Sequence, residues 1–261
     1  MRVRILSATV MIPVAIGAIA LGGAVFTVLV ALVGIGMAWE WVRMCRAAFA
    51  PPTVLMFAAL PLAIMVAATG HVGLSILLLL AVTLAAFLRP QPAAHDRLLP
   101  LGLPYLGLGA IALTWLRIGP PDGFALLVTL LLVIWASDIG AYLVGRVAGG
   151  PKLAPRISPG KTWSGAVGGL AASMAIGALA APWIGAGDRI GHAALLAGLV
   201  GCVGQAGDLL ESGLKRRFAV KDSSALIPGH GGLLDRLDAV LTAAPLAAIL
   251  ALVLERGVIH W

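Results

Sequence analysis

Residues 123–145 read GFALLVTLLLVIWASDIGAYLVG. As a helix this run can cross a bilayer core of ~30 Å, which takes about 20 apolar residues. It lacks the strict apolar–polar alternation of a barrel strand, so an α-helix is the only spanning structure left to it. One ionisable side chain, Asp138, lies well inside the run. An acid near mid-membrane costs ~2.5–3.5 kcal/mol on insertion scales, so it calls for a partner or a function. The alternatives at this point are a local pairing, with Ser137 or a neighbouring helix, and a polar site.

Working outward, the rest of the chain has the same character. Of its 261 residues 61% are hydrophobic and 11% charged, against roughly 25% charged in a soluble domain. Water-soluble, disordered and disulfide-rich secreted classes are excluded. Eight further candidate spans cover 5–21, 24–42, 53–69, 72–88, 98–117, 164–184, 190–210 and 237–254. The reading is therefore an all-α polytopic membrane protein with about nine transmembrane helices. Abundant Gly and Ala inside the spans permit close helix contacts. The basic start Met1-Arg2-Val3-Arg4 imitates a signal peptide, but the spans behind it point to an uncleaved anchor. Cys45 and Cys202 form no CxxC pair and read as small packing residues.

Orientation follows from Lys and Arg in the connections. With the N-terminus in the cytoplasm, 15 of the 18 basic residues fall inside and only Arg117, Arg189 and Arg256 outside. The net charge of +7 is thus a topological signal, and nucleic acid is not an expected partner. The chain divides into N-terminal membrane helices, 1–122, and a candidate catalytic region, 123–261, with cytoplasmic loops 146–163 and 211–236.

Acids and bases crowd those loops. Asp208 and Glu211 share one helix face at i,i+3 spacing, and Asp235 and Asp238 repeat the spacing at the start of the last span. Hard oxygen ligands from two helices suit Mg²⁺. Residues 208–238 hold ten charged side chains, among them Lys215-Arg216-Arg217, Lys221-Asp222 and Arg236. Basic groups of this kind bind phosphates, Lys as a point charge and Arg as a bidentate fork. His230 stands between Gly229 and Gly231 in Pro228-Gly229-His230-Gly231-Gly232, where glycines let a backbone approach a ligand. The smaller loop ends in Ser158-Pro159-Gly160-Lys161-Thr162-Trp163. It is no P-loop, because Pro155 stands where that motif needs glycine and no strand precedes it. A phosphate-contacting or merely positive-inside loop is left. Together the residues describe acids for a cation and bases for phosphates on one membrane face.

The stretch Ser212-Gly213-Leu214-Lys215-Arg216, four residues, Lys221-Asp222, then Pro228 through Asp238, resembles the signature of phosphatidate cytidylyltransferases, the CDP-diglyceride synthases. No fixed position of that 27-residue signature departs. Ser137-Asp138-Ile139-Gly140-Ala141-Tyr142 and residues 158–163 are also similar to this family, and the specific likeness runs from about 130 to 240. The resemblance implies CTP plus phosphatidic acid giving CDP-diacylglycerol and pyrophosphate, with Mg²⁺ and room for a second cation, in a multi-pass protein of the inner membrane. It implies that Asp208 and Asp235 hold the metal centre, with Asp238 and Asp138 as further contributors. Lys215, Arg216, Lys221, Arg236 and Lys161 are the expected phosphate contacts, and His230 a donor to a phosphate oxygen or the leaving group. Ser212, Asp222, Gly231 and Gly232 complete the expected substrate contacts. A homodimer follows from the resemblance alone. A transporter would show internal repeats with a midplane site, and neither is present. The DG…AR…G…D…D pattern of CDP-alcohol transferases is absent too.

Overall fold

The computed structural model describes residues 2–89, 96–229 and 231–255. Helices dominate: α1 (Arg2–Leu21), α2 (Gly23–Met44), α3 (Pro51–Ala68), α4 (Val72–Phe87), α5 (Gly102–Ile118), α6 (Gly123–Ala148), α7 (Trp163–Ala180), α8 (Ile190–Arg217) and α9 (Leu234–Glu255). Each expected span coincides with one of them. Seven helical stretches are long and apolar enough to cross a membrane, while α4 and the apolar part of α1, Thr9–Leu21, are shorter. The protein is an all-α polytopic membrane protein.

Local chemistry sets the helix ends. Pro51 opens α3, where its missing N–H costs nothing. Thr162 caps α7, its Oγ1 accepting from Gly165 N at 3.1 Å. α6 stops at Gly149, whose positive φ of 61° closes the helix. Several boundaries differ from the apolar runs: α5 begins at Gly102 rather than 98, and α7 ends at Ala180 rather than 184. α8 continues to Arg217 rather than ending near 210, because its last turns are held by an i,i+4 pair, Lys215 Nζ to Glu211 Oε2 at 2.5 Å. α9 begins at Leu234 rather than 237. The expected 146–163 loop contains a hairpin, β1 (Lys152–Ala154) with β2 (Ser158–Thr162), paired Lys152 to Thr162 and Ala154 to Ser158 with a bulge between.

The chain forms two compact units. The first comprises Met1–Pro121 with Arg217–Leu237, the second Asp122–Arg216 with Asp238–Trp261. In the first, Trp41 is 2% exposed and donates its indole N–H to Leu99 O at 3.1 Å. Its ring meets Phe218 edge-on at 6.4 Å between centroids, which seats the start of the signature loop on α2. In the second, small residues set the packing. Gly165, Gly169, Ser173 and Gly177 recur every fourth position on α7 and are buried. A Cβ on Gly169 would sit 2.8 Å from Ser137 O of α6, and one on Gly204 of α8 2.5 Å from Ile134. Close helix approach of this kind is what small-residue stripes permit where water supplies no hydrophobic drive.

Candidate active site

The hairpin exists because α6 ends in Gly149-Gly150, both at positive φ, and the chain turns back through Pro151. Ser164 Oγ donates to Gly149 O, and Trp163 N donates to Pro151 O at 3.0 Å. This return places Lys161, on β2, beside α8: its Nζ lies 2.7 Å from Asp208 Oδ2. Both side chains are about one-third exposed (28% and 31%), so the pair is open to a ligand. Asp208 Oδ1 also accepts from Ser212 Oγ at 3.4 Å.

A cavity of about 650 Å³ surrounds this pair, lined by Asp138, Tyr142, Arg146, Lys152, Lys161, Gln205 and Asp208 among others. That volume lies within the ~300–1,000 Å³ of ligand clefts. Arg146 donates to Tyr142 Oη at 2.6 Å. Gln205 donates to Ser137 Oγ at 3.0 Å and Ala166 O at 3.3 Å, tying α8 to α6 and α7 one turn before Asp208. Asp138 of α6 and Asp238 of α9 both lie within Coulombic range of Asp208. Asp238 Oδ1 accepts from Ala239 N at 2.8 Å. Three carboxylates from three helices thus act on one another electrostatically, with Lys161 acting on Asp138 and Lys215 on Asp238. Lys215 pairs with Glu211, and Arg216 Nε donates to Ile157 O at 3.3 Å, so the last turn of α8 also contacts the hairpin.

The donor set fits a hard divalent cation, since Asp138, Asp208 and Asp238 offer carboxylate oxygens from three helices. Among the described residues no three His, Cys, Asp or Glu side chains converge closely enough to form a complete metal cage.

The remaining signature residues belong to the first unit. Asp235, in the first turn of α9, accepts from Gly232 N at 2.8 Å, Ser223 N at 3.0 Å and Ser223 Oγ at 3.0 Å, all on Oδ2. Gly231, at φ 87°, forms a bridge with Ile227, and a Cβ on it would lie 2.9 Å from Asp235 Oδ2. Arg236 N donates to Leu233 O at 3.1 Å. Lys221 and Asp222 are exposed in the loop before Ser223. His230 lies outside the described residues.

Four lining residues were not anticipated: Tyr142, Arg146, Lys152 and Gln205. Arg146 and Lys152 belong to the basic loop read as phosphate-contacting or positive-inside, without being singled out as site residues. Glu40 was missed outright. It is fully buried in α2 (0% exposed) and accepts from Ser224 Oγ at 2.6 Å and from Leu233 N and Leu234 N at 2.8 Å, and it shares with Asp235 the one hydroxyl proton of Ser223, whose Oγ is 3.1 Å away. An acid inside the apolar run 24–42 was the available signal.

Comparison with known proteins follows the same lines. A family model described as the cytidylyltransferase family matches residues 2–254. A phosphatidate cytidylyltransferase of Brucella suis is 52% identical over 145 residues, 56% of this chain and 53% of that protein. The aligned stretch therefore spans about half the length of that relative. One from Pseudomonas aeruginosa is 37% identical over 269 residues, covering 96% of each chain. One from Haemophilus influenzae is 43% identical over 130 residues, covering 48% of this chain and 45% of that protein.

Proposed function

The chain belongs to the cytidylyltransferase family, and from that premise we propose that it transfers a cytidylyl group from CTP to phosphatidic acid, releasing pyrophosphate and forming CDP-diacylglycerol for phospholipid synthesis. The observation that carries the reading is the open Lys161–Asp208 pair at 2.7 Å, set in a cavity walled by both acids and bases. The relatives' shared name supplies the substrates.

The chemistry is in-line displacement at phosphorus. A phosphatidate oxygen, already ionised near neutral pH, attacks the α-phosphorus of CTP. A new P–O bond forms, and the bond to the bridging oxygen of the β-phosphate breaks with its electron pair on pyrophosphate. No strong general base is required. The barrier is the approach of one anion to another, so catalysis rests on positioning and charge. Lys161, Arg146 and Lys152 line the cavity and offset phosphate charge, Arg146 through its guanidinium fork. Lys161 exchanges its carboxylate partner for phosphate when the nucleotide enters. Lys215, Arg216, Lys221 and Arg236 supply further positive charge from the signature, with His230 as a proton donor.

Asp208 and Asp238, with Asp138, would hold Mg²⁺; the resemblance also assigns Asp235 to a metal role and leaves room for a second cation. Bound there, the ion would neutralise triphosphate charge and polarise the α-phosphate. The setting we propose is the cytoplasmic membrane, with the N-terminus and the site on the cytoplasmic side, nine crossings, and a homodimer as the assembly. Purified protein given radiolabelled CTP, phosphatidic acid and Mg²⁺ should yield a labelled CDP-lipid. Absence of that product across detergents and salts would reject the assignment.

A further inference from the structure

Glu40 is the most deeply committed acid among the described residues, and the transfer chemistry above does not use it. A carboxylate inside a transmembrane helix is expensive, and a buried one persists only when its lone pairs are satisfied. Here every donor comes from one short segment. Ser223 and Ser224 supply hydroxyls, and Leu233 and Leu234 supply the backbone N–H groups that open α9. A carboxylate at a helix start also meets the favourable end of the peptide dipoles. A Cβ on Gly232 would collide first with Ser223 Oγ and stand 2.5 Å from Glu40 Oε1, so a larger residue there must displace the serine or the carboxylate. Ser223 connects the two acids. Its Oγ lies 3.1 Å from Glu40 Oε2 and 3.0 Å from Asp235 Oδ2, so its single proton is shared between the two carboxylates, while its N–H serves Asp235.

We infer that Glu40 is a positioning residue for the signature: from inside α2 it clamps both ends of the 223–234 loop and, through Ser223, sets the orientation of the Asp235 carboxylate. The inference rests on the proposed cytidylyl transfer, since Asp235 matters only if that chemistry is right. Outer groups that orient a functional carboxylate typically affect activity about 10–100-fold, and their loss acts on turnover rather than on nucleotide affinity.

The test joins hydrogen exchange with kinetics on the full-length protein in detergent. In the wild type the Leu233, Leu234 and Ser223 amides should be among the slowest to exchange between 219 and 234; rapid exchange at 233 and 234 overturns the clamp. Glu40→Gln keeps the volume but replaces one acceptor oxygen with a donor. It should speed exchange at these amides about tenfold while α3 and α5 amides keep their wild-type rates. Its kcat should fall about 10–100-fold with the KM for CTP within about threefold. Normal kcat in folded Glu40→Gln overturns the inference, as does a loss that tracks only the yield of folded protein. Should Glu40→Gln not fold, Ser224→Ala, which removes the 2.6 Å donor, carries the same expectation at a several-fold smaller effect. A wild type without transfer activity but with slow 233–234 exchange would sink the functional reading alone. An active wild type with an indifferent Glu40 would sink this one alone.

Discussion

Asp208 and Asp235 match the same role in the resemblance, yet the structure gives them different surroundings. Asp208 is paired with Lys161 at 2.7 Å and is partly exposed. Exposed pairs of this kind contribute about 0–1 kcal/mol to stability, so Asp208→Asn should leave the unfolding temperature nearly unchanged. Turnover at saturating Mg²⁺ should fall on the order of 100-fold or more, the usual cost of losing preorganised charge. Asp235 uses Oδ2 to gather Gly232 N and the Ser223 N–H and hydroxyl. Asn can keep that acceptor, so Asp235→Asn should insert and fold normally while losing turnover; wild-type turnover would remove Asp235 from the metal role. Gly232→Ala pushes a Cβ toward the Glu40 carboxylate. It should lower stability by about 1–3 kcal/mol, as overpacking does, and thermal unfolding in detergent measures it. At this scale the cost of placing acids in or beside apolar runs drew attention to 138, 208 and 238, and the resemblance added a role for Asp235. Glu40 obeyed the same rule, but one acid at the end of an apolar run passes for the edge of a span.

Among the elements, α7 and α8 decide where the site residues stand. The stripe Gly165, Gly169, Ser173, Gly177 lets α6 and α7 approach until Ser137 O lies 2.8 Å from where a Gly169 Cβ would be. On α8, Gly201 faces Ser173 and Gly207 faces Thr242 of α9. Gly169→Leu has no room on either side, since Gln205 Nε2 stands 2.5 Å from the added Cβ. The variant should lose most of its monodisperse folded fraction in size-exclusion chromatography. The surviving fraction should lack activity, because Gln205 precedes Asp208 by one turn. Span positions were legible because apolar runs are long; helix ends were not. Glu211, Ser212, Lys215 and Arg216 are polar yet helical, stabilised by a local ion pair that a hydropathy reading counts as loop. The 152–162 hairpin was equally hidden, since two short strands containing Pro159 carry little periodic signal.

For the whole molecule, the basic residues lie 15 inside and three outside under the nine-crossing topology. Reporters fused within 150–158 and 218–229 should be cytoplasmic, those within 119–122 and 185–188 external, and one at the C-terminus external. A cytoplasmic C-terminus would refute nine crossings. The chain by itself determined that the protein is a helical membrane protein, and it set the expectation of which side its basic loops take and which acids serve the chemistry. Those follow from the free energy of placing apolar and charged groups in hydrocarbon, which depends on composition along the chain. Only the tertiary structure decided which groups meet. Lys161 reaches Asp208 because the chain reverses at Gly149-Gly150, and the signature loop hangs on Glu40 across 183 or more residues of sequence. Such pairings depend on how helices of matching small-residue stripes settle against one another, and no spacing along the chain encodes that distance.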